Sequence, residues 1–193
     1  MFFAMVLILA RFDLLPEVKQ VSSAPQSILS ASPHVATSTR TPPSRIEFPT
    51  SIAIPALKLA ATIENPNTTD IATLDKLLLK GVVRYPTSAS LGETGNVVLF
   101  GHSSYLPIVG NQAYKTFNGI QKLVAGDIVV VSSLGTSYTY RVRSVAKESA
   151  LDAGIPLVVT GRVLTLSTCD SFGAKTDRFV VVADFVESHS ISN

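Results

Sequence analysis

Tryptophan is absent, cysteine occurs once, and charged residues make up only 16% of the chain. A single cysteine excludes an internal disulfide, and it excludes a cysteine-cluster metal site, which needs several ligands at short spacings. No Lys/Arg run exceeds isolated residues, and the formal net charge is +2. That leaves no electrostatic footprint for nucleic acid or for an anionic membrane surface, so no nucleic-acid partner is expected. There is no internal repeat. The apolar run that opens the chain covers residues 1–10, too short for a bilayer, which takes about 20 residues. It lacks both a preceding basic stretch and a clear cleavage site. We read residues 1–19 as an export or membrane-anchor segment, or as the end of an anchor that starts upstream; a short helix packed on the domain is the plainer alternative.

What is abundant points to strands. Hydrophobic residues make up 46% of the 193 positions, enough for one domain with a real core, and they are dominated by Val, Ile and Leu, with Thr alongside. Residues 20–45 are rich in Ser, Thr, Pro and Ala and read as an extended, solvated linker. The folded domain is expected over 46–187, followed by a frayed tail at 188–193. Residues 51–55 and 57–63 alternate with period two. Asp70 offers an N-cap, and Ile71, Leu74, Leu77 and Leu78 recur at helical spacing up to Gly81, which suits a C′ stop. A buried strand is expected at 96–101, a second short helix at 114–121, a hairpin pair at 128–131 and 137–142, and two last strands at 163–167 and 178–185. Many short strands with few helices predict an all-β, closed barrel.

Of three histidines, His34 falls in the linker and His189 in the tail. His102 alone ends a strand of the core, with Ser103 and Ser104 behind it. Cys169 ends another. In an alternating strand Leu164 and Leu166 share a face, which puts Thr165, Ser167 and Cys169 on the other. Free cysteine is usually a small buried hydrophobe, but the Thr, Ser and Asp around Cys169 argue for a polar, accessible site. Arg178 follows nine residues later and opens the last strand. If the two strands pair antiparallel through residues 170–177, its guanidinium reaches back toward the thiol; the plainer alternative is a surface charge paired with Asp177 or Asp184. A Cys–His pair supports nucleophilic acyl transfer through a thioester. Arginine cannot serve as base, and its work would be oxyanion stabilisation or fixing the substrate backbone.

TLSTC at 165–169 with a downstream Arg, and GN…GH at 95–102, together resemble the sortase signature. Further matches are IAIP at 52–55, GVVRYP at 81–86, LGETGN at 91–96, and Phe117, Leu123 and Gly126-Asp127 downstream. Their order and spacing agree from about residue 46 to 185. The usual Pro of the PGE turn is Leu91 here. The resemblance implies an eight-stranded β-barrel tethered outside the cell membrane by its N-terminal segment. It implies cleavage of a C-terminal, LPxTG-like sorting signal on surface proteins and transfer of the acyl group to an amine on peptidoglycan precursor or pilin. It gives His102, Cys169 and Arg178 as the catalytic residues, and we add Ser103, Ser167 and Thr168 as substrate-binding candidates. Glu93, Asp127, Glu148, Asp152 and Asp170 are scattered, so no metal or other cofactor is expected.

Two other readings use the same sequence. A cysteine peptidase would pass the acyl group to water with the same three residues. A catalytically silent surface-binding module would be indifferent to loss of Cys169. The connection between residues 146 and 162 is expected to shape specificity, because it lies just before the cysteine strand.

Overall fold

The computed structural model describes residues 46–104, 106–149, 154–168 and 177–191. The proposed anchor segment, the linker as far as residue 45, Cys169 and residues 170–176 of the connection expected at 170–177 lie outside them. Period-two alternation becomes β1 (Ser51–Ile54), β2 (Leu59–Glu64) and β7 (Arg162–Thr168), and continuous apolar runs become β4 (Gly95–Gly101) and β5 (Ile128–Ser132). With β3 (Val82–Arg84), β6 (Thr136–Glu148) and β8 (Arg178–Ser190) they close an eight-stranded barrel in the order β1-β2-β3-β4-β7-β8-β6-β5. The barrel is mixed: β2 with β3 and β4 with β7 pair parallel, and the other neighbours are antiparallel. Closure gives every described strand two neighbours, so none of them is an edge strand.

The barrel interior is filled by alternate residues such as Ile52, Ile54, Val97, Leu99, Leu164 and Leu166. β4 is buried along its whole length, because its other face is covered as well. There α1 (Ile71–Leu78) lays Leu74 and Leu78 on Val83, Val98 and Phe100. Burying each leucine contributes roughly 1.5–3 kcal/mol. A strand covered on both faces must be apolar throughout, which is why 97–100 shows no alternation.

Asp70 caps α1, accepting from the Thr73 N–H at 2.8 Å and its hydroxyl at 2.6 Å. The helix stops at Leu78, short of Gly81. Gly81 serves a close approach instead, since a Cβ there would stand 2.8 Å from the Thr62 carbonyl oxygen. The helix expected at 114–121 is two separate 3-10 turns, Gln112–Lys115 and Ile120–Lys122, broken at Gly119 with φ +88°. β6 and β8 both outrun the sequence expectation. Glu187 and His189 pair with Thr139 and Ser137, so the stretch read as a frayed tail is strand as far as Ser190. β3 carried no strand signal of its own, being three residues long. Among the described residues no helix is long and apolar enough to cross a membrane.

Candidate active site

β4 and β7 run parallel in continuous register from Gly95–Arg162 to Gly101–Thr168. Both therefore end at the same rim of the barrel. β8 pairs antiparallel with β7, Ser167 opposite Val180, so β8 begins at that rim. The Phe179 N–H donates to the Thr168 hydroxyl at 2.9 Å, which ties the start of β8 to the end of β7. His102, Thr168 and Arg178 thus mark three adjacent strand ends. Loops leaving a rigid sheet end are where reactive side chains are commonly held.

His102 is 6% exposed. Its ring lies 5.1 Å from that of Tyr114, tilted by 34°, and its carbonyl accepts the Phe117 N–H at 2.8 Å. Phe117 packs flat against Gly101, where any Cβ would meet the ring at 2.7 Å. The chain beyond His102 is clamped twice, Ser104 N–H to Asn118 Oδ1 at 2.8 Å and Asn118 Nδ2 to the Ser104 carbonyl at 2.9 Å. These contacts fix the backbone that carries the imidazole. Tyr114 and Asn118 were not singled out from sequence; both fall in the stretch read as plain helix.

Arg178 is half-buried, and its buried Nε has no hydrogen-bond partner among the described residues. The acids that would make it an ordinary surface charge are engaged elsewhere. Asp177 pairs with Lys147 at 2.8 Å and Asp184 with Arg143 at 3.0 Å. A buried, unpartnered donor is costly, and here it sits at the rim where β7 ends. Its register partner on β6 is Glu148.

The substrate-binding candidates separate. Ser103 is partly exposed beside His102. Ser167 is wholly buried, with its hydroxyl 3.3 Å from the Thr168 carbonyl. Thr168 is 8% exposed, its hydroxyl accepting from β8. The outward face of β7 is lined instead by Val163 and Thr165, which floor a cavity of ≈ 240 Å³ with Val180, Val182, Ile155 and Val159. Residues 154–159 of the connection between β6 and β7 roof it. That connection is pinned to β4 by Asn96, whose Nδ2 donates to the Pro156 carbonyl at 2.8 Å, and by the Gly95 N–H to Gly161 carbonyl bond at 2.8 Å.

A Sortase domain model matches residues 52–186. No curated protein matches the sequence. Solved structures are similar over most of the fold. Sortase E from Streptomyces avermitilis is 27% identical, with TM-score 0.58 over 74% of this chain and 91% of that one. Sortase A from Listeria monocytogenes is 22% identical, with TM-score 0.56 over 74% and 90%. Sortase C-3 from Streptococcus pneumoniae is 15% identical, with TM-score 0.59 over 77% and 68%. The last two speak for the fold alone.

Proposed function

Since this chain belongs to the sortase family, we propose that it is a cysteine transpeptidase acting on the sorting signals of surface proteins, with Cys169 as nucleophile. The observation that carries this reading is the register of Gly101 opposite Thr168. His102 and Cys169 each follow those partners by one residue in the chain, and consecutive Cα atoms are about 3.8 Å apart. Arg178, with its unpartnered Nε, opens the neighbouring strand.

In this mechanism the Cys169 thiolate attacks the scissile carbonyl. An Sγ–C bond forms, and the C–N bond breaks as the His102 imidazolium passes its proton to the leaving amine. An acceptor amine then attacks the thioester, gives its proton to the imidazole and releases the thiolate. Arg178 supplies donors to the oxyanion of each tetrahedral intermediate or to the peptide backbone beside it. The cavity on β7, lined by valines and Ile155 with Asn96, Arg143 and Glu148 among them, suits side chains upstream of the cleaved bond. The enzyme would work at the outer face of the cell membrane, held by its N-terminal segment, with an amine of peptidoglycan precursor or pilin as acceptor.

The decisive assay follows a fluorogenic LPxTG-like peptide with and without an added amine such as triglycine. The expected result is an amide product that replaces the hydrolysis product as the amine rises. Cleavage whose products ignore the amine would identify a cysteine peptidase that uses water.

A further inference from the structure

Arg84 closes β3, which runs antiparallel to β4 and so carries the chain away from the His102 rim. It is 4% exposed. A buried guanidinium normally meets a carboxylate, because desolvating a lone charge is expensive. Here every acceptor is a neutral oxygen. Nε donates to Asn65 Oδ1 at 3.1 Å, and Nη1 donates to the Ser88 carbonyl at 2.7 Å, with longer contacts to the Tyr85 carbonyl and the Ser88 hydroxyl. Nη2 makes no hydrogen bond among the described residues. The guanidinium carbon lies 5.0 Å from the centroid of the Phe48 ring, which offsets part of the charge. Glu93 acts on it at longer range only; its carboxylate accepts the Ser90 N–H at 2.8 Å. Burial outweighs Glu93 and holds the Arg84 pKa below its ordinary value, yet arginine stays charged at any physiological pH.

This cation lines an open cavity of ≈ 730 Å³ together with Phe48, Asn67, Thr69 and Thr87. Those three polar side chains are exposed and make no hydrogen bond among the described residues. The Phe48 ring, 53% exposed, adds an apolar wall. A lone cation, neutral donors and acceptors around it, and one aromatic edge together specify a ligand with a single negative group and several hydroxyls.

We propose that this cavity binds a carboxylate-bearing, polyhydroxylated ligand of sugar-acid size, its carboxylate on Arg84 Nη2 and its hydroxyls on Asn67, Thr69 and Thr87. The site is separate from the His102 rim and independent of the proposed transpeptidation.

Amide NMR titration of the full chain tests this, with glucuronate as probe and glucose and acetate as its uncharged and hydroxyl-free counterparts. Glucuronate is expected to shift the resonances of residues 67–69 and 87–88 saturably and to bind roughly tenfold tighter than acetate; glucose gives no shift there. Arg84→Gln is expected to abolish the response. Because Arg84 also braces two turns, the exposed pair Thr69→Val and Thr87→Val provides a variant that keeps the core intact, expected to weaken glucuronate about tenfold. A flat titration overturns the proposal, as does an equal response to glucose or undiminished binding in the double variant.

Discussion

A thiol is a nucleophile only as thiolate, and an arginine is catalytic only if its donors are free to turn toward the reacting atoms. The proposed role of Arg178 rests on the second condition: among the described residues its buried Nε has no partner, and Asp177 and Asp184 are held by Lys147 and Arg143. Lysine would keep the charge and lose the planar fork. Arg178→Lys is therefore expected to lower kcat by roughly 10²-fold or more, the cost of one lost transition-state donor, with the unfolding midpoint little changed. Turnover at the wild-type rate would make Arg178 a bystander. A second residue-scale effect is structural. Two hydrogen bonds from Thr73 hold the Asp70 carboxyl below its usual pKa, against a small opposing effect of desolvation. A carboxyl with a lowered folded-state pKa stabilises the fold above its unfolded pKa and loses that contribution as pH falls through the folded one. Asp70→Ala should accordingly melt below wild type at neutral pH. The two melting curves should converge in acid, which calorimetry across pH would check.

At the scale of elements, His102 is positioned by the end of β4 and by the turns that follow. Gly101 lies against the face of Phe117, and the Phe117 N–H returns to the His102 carbonyl. Gly101→Ala would push a methyl into an aromatic ring that is itself fully buried. The expected cost is about 1–3 kcal/mol from overpacking, accompanied by a loss of turnover larger than that of a surface variant of equal stability. Denaturant unfolding alongside kcat/KM separates the two effects. This tight packing was not legible in the sequence, where the glycine read only as part of a motif. The 3-10 turns at 112–115 and 120–122 were equally hidden. Apolar spacing at 114–121 suits a helix, but Gly119 at positive φ divides it. The tail of β8 was missed because its residues are polar. Thr136–Thr139 of β6 give Glu187–Ser190 a hydrogen-bonding partner that no local pattern announces.

At the scale of the whole molecule, closure of the barrel does what no single strand can. Parallel pairing of β4 with β7 and antiparallel pairing of β7 with β8 bring residues 102, 168 and 178 to one rim, although the sequence separates them by up to 76 positions. The barrel class followed from the local strand signals, although β3 had no signal of its own, and the count of eight strands and the family followed from the resemblance that motif order carries. The cavity on β7 and the Arg84 site did not, because each is assembled from segments far apart in sequence whose residues carry no shared pattern. Arg84 falls inside the GVVRYP stretch with no local pattern to mark it; only its burial and, among the described residues, its lack of a carboxylate partner distinguish it.

The central claim is that Cys169 carries the acyl group, and intact-mass spectrometry of the purified chain with LPxTG-like peptides tests it most directly. The account predicts a covalent acyl adduct on wild type, none on folded Cys169→Ala, and discharge of the adduct by an added amine. An adduct that persists in Cys169→Ala, or a folded wild type that forms none while Cys169 also resists alkylation, would contradict it.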